Sequence, residues 1–220
     1  MSKISSHLVI NALQPDTMLS DITSLCNEAI LYKYAAVSVP PLFVVKAKDI
    51  VQQSDIKVAT VIGYPYGYNA IESKLAETLL AIVDGVDEVC MMASTTAIKN
   101  NDWQYIASEI NTINPIVKRK GKSITVMLET VLLSEEEIIK ACDIYGTAGI
   151  DFLQVGTGII EVEQNDNISL IRRHLSDSVK IIATDNNPSY KLIKEYISDG
   201  AERVSIRDGL KLMLEEAALN

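Results

Sequence analysis

Apolar residues recur along this chain in two alternating rhythms. Short runs rich in β-branched and aliphatic residues read as strands, and between them apolar residues return every three or four positions, the period of a helix. The strand-like runs are Leu8-Val9-Ile10, Ala36–Val39, Ile56–Ile62, Glu88–Ala93, Ser123–Leu128, Asp151–Val155, Val179–Ala183 and Arg203–Ile206. Ser20 or Asp21 can cap a first helix to about Tyr34, with Leu25, Ile30 and Leu31 on its apolar side. Val44–Gln53 follows, and then Ile71–Val83, with Ile71, Leu75, Leu79, Ile82 and Val83 as its stripe. Asn101 or Asp102 caps a helix to about Ile113, and Ser134 with Glu137 forms a capping box opening a helix to about Tyr145. A polar loop over 161–167 leads into a short helix, Pro188 opens another that ends near Asp199-Gly200, and Leu210–Ala217 is the last.

This pattern makes eight strand–helix pairs at nearly even spacing. Turns such as Gly85-Val86-Asp87, Gly149-Ile150-Asp151 and Gly200-Ala201-Glu202 close a helix and open a strand. The expected fold class is therefore α/β, a (β/α)8 TIM barrel in one domain over residues 1–220. A doubly wound sheet would use fewer units.

Composition narrows the function. Hydrophobic residues make up 48% and charged residues 22% of the 220, the balance of an ordinary globular domain. The net charge of −9 argues against nucleic acid and anionic membranes as partners. No apolar run approaches the roughly 20 residues a membrane span requires, and the N-terminal stretch lacks a signal-peptide pattern. Cys26, Cys90 and Cys142 fit neither a disulfide framework nor a zinc motif, which points to a reducing, cytoplasmic setting. His7 and His174 are the only histidines, so no metal site and no cofactor are expected. The expected partner is a small-molecule substrate, with a homodimer as the default assembly.

In a barrel, ligands gather at the C-terminal ends of the strands. If Gln154 points inward, so do Phe152 and Gly156, and on other strands Cys90 and Met92, Thr125, Met127 and Glu129, and Ile182 and Thr184. Glu129 could serve as a general base, its pKa raised by burial, or hold loop amides at the rim. Cys90 could be a nucleophile, but no histidine accompanies it, and a small buried hydrophobe is the alternative. Gly156-Thr157-Gly158 could bring backbone close to a ligand or form a plain turn. Asp185 and Asn186 could contribute acid–base and binding groups, or an Asx turn and helix cap. Arg207 could bind an anion or pair with Asp208. Tyr64, Tyr66 and Tyr68 crowd one loop after the third strand, where they could line a pocket or meet a partner subunit.

These motifs resemble the deoxyribose-phosphate aldolase family over nearly the whole chain. The carriers are TVIGYPYG (60–67) followed by Glu72, Lys74 and Glu77, DGVDEVCMM (84–92), ITVMLET (124–130), GIDFLQVGTG (149–158) and GAERVSIRDG (200–209). The resemblance implies a class I aldolase-like barrel that cleaves 2-deoxyribose 5-phosphate through a lysine Schiff base. It also implies where that chemistry should sit. The Schiff-base lysine, in a strand reading roughly DFxKTSTG, falls on Gln154, and the Thr-Ser after it on Val155 and Gly156. A second lysine falls on Ile182, with its following glycines on Asp185 and Asn186. The catalytic aspartate falls on Cys90, an accompanying lysine on Thr125 and a first-strand aspartate on Val9. The small-residue phosphate cradle falls on Arg207-Asp208.

Such coordinated replacement avoids stranding a single buried charge. Neither glutamine nor isoleucine can form an imine. The expectation is an aldolase-like enzyme with altered acid–base chemistry on a small carbonyl-containing or aromatic metabolite. Its catalytic residues would be Glu129 and Asp185, and its binding residues Tyr64, Tyr66, Cys90, Gln154, Thr157, Asn186 and Arg207. The alternatives are a non-catalytic binding or regulatory subunit, or a conventional aldolase using another lysine. Lys180, two residues before Ile182, is the candidate for that role or a solvated lysine at the barrel's bottom.

Overall fold

A computed structural model describes residues 4–160 and 167–218. After a short 3-10 turn at Ile4–His7, strand and helix alternate as the periodicity requires. In chain order they are β1 (Leu8–Asn11), α1 (Leu19–Tyr32), β2 (Ala36–Val39), α2 (Val44–Val51), β3 (Lys57–Ile62), α3 (Ile71–Val83), β4 (Glu88–Met92), α4 (Thr95–Lys99), α5 (Trp103–Arg119), β5 (Ser123–Leu128), α6 (Glu135–Ala148), β6 (Phe152–Val155), α7 (Ile168–His174), β7 (Lys180–Thr184), α8 (Tyr190–Ser198), β8 (Ala201–Ile206) and α9 (Leu210–Ala218). The eight strands are parallel and close in sequence order, β8 pairing with β1. This is a (β/α)8 barrel. Most strand residues are buried on both faces, which is why the strands read as apolar runs rather than alternating patterns.

Side chains pointing outward from the strands pack with the helices in one large core. Those pointing inward form a second, smaller cluster of Ala59, Val61, Cys90, Met92 and Met127. The N-terminal floor of the barrel is closed by a polar plug. Arg203 donates from Nη1 to both oxygens of Glu88, each at 2.9 Å, and its guanidinium lies 4.6 Å from the Phe152 ring centroid. A buried ion pair of this kind holds only where geometry compensates desolvation, and the two-oxygen contact plus the ring face supply that.

Several local expectations are corrected. α1 begins at Leu19, where the Asp21 carboxylate accepts the Met18 N–H at 2.8 Å. It buries Ile22, Leu25, Cys26 and Ala29, while Ile30 and Leu31 are exposed. The 95–119 region holds two helices, the short α4 and then α5, which Asp102 caps and which continues past Pro115. Ser189, not Pro188, sets the start of α8 by accepting the Leu192 N–H. The largest correction is α3. Its buried residues are Lys74, Thr78 and Ala81; of the expected stripe Ile82 packs against the core, Ile71 and Leu75 are half-buried, and Leu79 and Val83 lie exposed.

That α3 buries a polar face has a cause in its partners. Lys74 Nζ donates to Glu109 Oε1 on α5 at 2.6 Å and to the Met92 carbonyl at the end of β4 at 2.7 Å. Both side chains of that ion pair are fully buried. One turn on, Glu77 accepts the Gly63 N–H and the Asn69 side-chain N–H, each at 2.7 Å. α3 thus uses Lys74 and Glu77 to hold the 63–69 loop against the end of β4. A Cβ on Gly63 would stand 2.7 Å from Lys74 Cε, so that position admits only glycine at this approach.

Candidate active site at the barrel mouth

The C-terminal mouth has two unlike sides. On one, the loops after β6, β7 and β8 meet at a single carbonyl, that of Gly158. Asn186 Nδ2 donates to it at 2.9 Å and Arg207 Nη2 at 3.0 Å. Gly158 has φ +76°, and a Cβ there would lie 2.8 Å from Asn186 Oδ1. With the Gln14 amide turned so that its oxygen faces Arg207, it accepts from Nε at 3.2 Å and Nη2 at 3.1 Å, adding the loop after β1. Asp185 points away from the mouth. One of its oxygens accepts the Asn187 N–H and the other the Tyr196 hydroxyl of α8, both at 2.9 Å. This is the Asx-turn geometry, and it removes Asp185 from the acid–base role expected of it.

Below this laced side the bore is filled. A cavity of about 10 Å³, room for about one water, is all that remains among Val9, Cys90, Gln154, Ile182 and their neighbours. Gln154 donates from Nε2 to Thr184 Oγ1 at 3.0 Å, and that hydroxyl donates to the Gly156 carbonyl at 3.0 Å. The amide is thereby a tie between β6 and β7. Burial, and after it the Glu88 carboxylate, pushes the Cys90 thiol up to about 12, which leaves little thiolate at neutral pH, and the side chain lies in the bore with Met92 and Met127. Lys180 lies at the opposite, N-terminal end, where Nζ pairs with Glu202 at 2.9 Å with both side chains about half exposed.

The other side of the mouth is open. A pocket of about 380 Å³ lies over the ends of β4 and β5. Its walls are Tyr66 and Tyr68, the α4 residues Thr95, Thr96 and Lys99, and Leu132, Ile159 and Ile160 from the loops after β5 and β6, with Met92, Glu129 and Thr157 beneath. Tyr66 and Tyr68 stack at 5.4 Å between centroids and 27° between planes. Tyr64 stands apart. It is half-buried and lines a separate cavity of about 360 Å³ with Leu13, Pro40 and Phe43. Burial pushes its phenol up, against the pull of Arg207.

Glu129 is the ionisable group at the base of the open pocket, 6% exposed. One oxygen, Oε2, accepts from the Thr157 hydroxyl in a short hydrogen bond and from the Thr157 N–H at 3.3 Å. Thr157 Oγ1 also accepts the Ile159 N–H at 3.2 Å. Burial holds the Glu129 carboxyl above the ordinary range, and the two Thr157 contacts partly offset it. Of the expected site residues, Tyr66, Glu129 and Thr157 therefore converge. Cys90 and Gln154 lie in the bore, Asn186 and Arg207 belong to the lacing, Asp185 turns to α8, and Tyr64 packs on the inward cluster that holds Met92 and Met127, within electrostatic reach of Glu129 and Arg207. The α4 residues and the Leu132, Ile159 and Ile160 wall were not foreseen. α4 is only one turn and a half, and its run Ser94-Thr95-Thr96 reads as a loop.

The geometry defines a (β/α)8 barrel with a pocket at its C-terminal mouth. No family model matches the chain. Individual relatives do. The deoxyribose-phosphate aldolase of Thermoanaerobacter pseudethanolicus is 35% identical over 205 residues, covering 92% of each chain. That of Thermococcus kodakarensis is 34% identical over 217 residues, covering 96% of each. The chain belongs to the deoxyribose-phosphate aldolase family. The solved structure of an aldolase, QR15, superposes with a TM-score of 0.90 at 26% identity, covering 100% of this chain and 99% of that one. The tetrameric deoxyribose phosphate aldolase of Aeropyrum pernix gives 0.90 at 20% identity over 99% and 92% of the two chains, a likeness of fold.

Proposed function

We propose that this chain is an aldolase-like enzyme that works without a Schiff-base lysine, by proton transfer at Glu129 on a small carbonyl-containing or aromatic metabolite. The observation that carries the reading is Glu129 itself, a carboxyl held above its usual range by burial yet open to a pocket. A base poised in this way is suited to removing a proton next to a carbonyl. Support also comes from Gln154, Ile182 and Cys90, which by the resemblance would stand in for the family's charged network and which line a bore with little free space.

Thr157 completes the scheme. While Glu129 is ionised, the Thr157 hydroxyl donates to it. Once Glu129 has taken the substrate proton, its O–H donates back to Thr157 Oγ1, and the threonine hydrogen is free to turn to the developing enolate oxygen. Glu129 then returns the proton. No charge is created or lost beyond the one that moves, and no imine is involved.

The test is turnover or solvent-deuterium exchange of candidate carbonyl compounds by wild type and Glu129→Gln. Loss in the variant supports the proposal; equal rates remove Glu129 from it. Borohydride treatment with an aldehyde that left a covalent adduct on a pocket lysine such as Lys99 would replace it with a conventional aldolase. The filled bore favours one second reading, a binding or regulatory subunit, and absence of any exchange despite ligand binding would establish that instead. We further propose a cytoplasmic homodimer, C2 closure being the commonest assembly; sedimentation equilibrium reads the mass.

A further inference from the structure

We infer that the open pocket takes an uncharged carbonyl compound with a flat, apolar or aromatic body, and not a phosphorylated sugar. The inference rests on the proposed role of Glu129 for the orientation of the carbonyl, but its ligand class follows from the walls. Tyr66 and Tyr68 are 54% and 73% exposed, and Leu132, Ile159 and Ile160 across the pocket are 48%, 36% and 37% exposed. Apolar side chains from three separate loops therefore converge on one cavity without covering each other. Singly exposed apolar residues need no explanation, but a convergent set around a concavity marks a ligand site. Its volume, about 380 Å³, is near the lower end for small-molecule sites and suits one ring with a short substituent. The stacked tyrosines offer a ring face, and Leu132 with the two isoleucines offers the opposing wall.

Charge argues against a phosphate. The carboxyl of Glu129 lies at the pocket's base, and a phosphate dianion beside it would meet a like charge in a partly desolvated space. Lys99 is the wall's cation, and its Nζ is taken up at 2.9 Å by Glu137. Glu137 is held there by the Ser134 N–H at 2.7 Å and the α6 cap, and its carboxyl lies below the ordinary range for that reason first and for the Lys99 contact next. Arg207, on the other side of the mouth, is engaged at the Gly158 carbonyl. Each cation thus already has a carboxylate or carbonyl partner, which weakens its pull on a phosphate, whereas a neutral ring asks nothing of either.

Isothermal titration with matched probes tests the inference. The probes are 4-hydroxyacetophenone, its phosphate ester and dihydroxyacetone phosphate, against wild type and a Tyr66→Ala/Tyr68→Ala variant. Both tyrosines are exposed, so the variant keeps the fold, checked by its melting curve. The neutral ketone is expected to bind at least about tenfold tighter than either phosphate, and the variant to lose about tenfold or more of that affinity. Equal or tighter binding of a phosphate, no binding of the ketone, or an unaltered affinity in the variant would overturn it. Deuterium exchange at the ketone's methyl group separates this result from the proton-transfer reading. Binding without exchange in wild type sinks the role of Glu129 and leaves the ligand class standing. Exchange of dihydroxyacetone phosphate alone does the reverse.

Discussion

The two sides of the barrel mouth are built from the same kind of parts and do opposite things. Over β6, β7 and β8, polar side chains spend their hydrogen bonds on one another and on the Gly158 carbonyl, so the loops close the bore. Over β4 and β5 the polar side chains are tied behind the strands instead, Lys74 to Glu109 and Met92, Glu77 to Gly63, and the mouth is left open and apolar. A barrel mouth is thus opened or shut by where its polar groups find partners, more than by how many it has.

The comparison breaks most directly at Glu129. If the open side is where chemistry occurs, Glu129→Gln lowers turnover by about 10²–10⁴-fold, the usual worth of a positioned acid–base group, with ligand affinity largely kept. Asp185→Asn, on the laced side, changes turnover little, because that carboxylate serves Asn187 and Tyr196. Rates measured on both variants with one substrate decide it. Comparable losses would show that the two sides act together.

Next in size is the wall of the open side. Lys74→Met leaves Glu109 buried without its cation and is expected to cost about 3–5 kcal/mol in urea unfolding. The sign of its pH dependence follows. Burial already raises the Glu109 carboxyl, and Lys74 is the main opposing influence. Without Lys74 the folded carboxyl binds its proton still more readily than the unfolded one, so the variant's stability falls as pH rises out of the ordinary carboxylate range. The loss is smallest in acid. The double variant Lys74→Met/Glu109→Leu recovers much of the stability, since an apolar pair strands no charge.

α3 also shows what could be read from the chain and what could not. The strands were legible because a doubly buried parallel strand is a continuous apolar run, as Val126-Met127-Leu128 and Ile181-Ile182-Ala183 are. Alternation fixes which residues of a strand share a face, and with Gln154 taken as inward the expected inward residues Cys90, Met92 and Met127 do line the barrel interior. Periodicity also found α3, but it assumed that the apolar stripe faces the core. Lys74 faces it instead, because its partners Glu109 and the Met92 carbonyl come from elements distant in sequence, and Thr78, whose hydroxyl donates to the Lys74 carbonyl, follows one turn on along the same face. The same blindness to distant partners separates Glu129 from Asp185. Both sit at strand ends, but Thr157 keeps one at the pocket and Tyr196 draws the other to α8.

A third effect sharpens the coupling within the open side. Thr157→Val removes the hydroxyl donor to Glu129 and leaves the backbone N–H. Burial raises the Glu129 carboxyl and the Thr157 contacts lower it, so losing one of them raises it further. A base acts only when ionised. The rising limb of the pH–rate profile, already above that of an ordinary carboxylate, should therefore move to higher pH in the variant, and the plateau should fall about 10²-fold or more if the hydroxyl also steadies the enolate. A fall in plateau with no move of the limb would mean that Thr157 acts on substrate and not through Glu129.

The smallest effect is expected on the laced side. Arg207→Ala removes one of the two donors to the Gly158 carbonyl, but Asn186 remains at 2.9 Å and the guanidinium is exposed. An exposed contact of this kind is worth roughly 0–1 kcal/mol, so the melting temperature should hardly change. Its use here is as a control on what closes the bore. If the lacing merely covers strands already filled by Cys90, Met127 and Ile182, then hydrogen exchange at Gly156 and Thr157 stays slow in the variant and ligand affinity is unaltered. If Arg207 instead holds shut a space that a ligand could enter, exchange at those amides speeds up and dihydroxyacetone phosphate gains affinity. The first outcome follows from packing: removing a surface tie does not empty a core whose free volume is about that of one water.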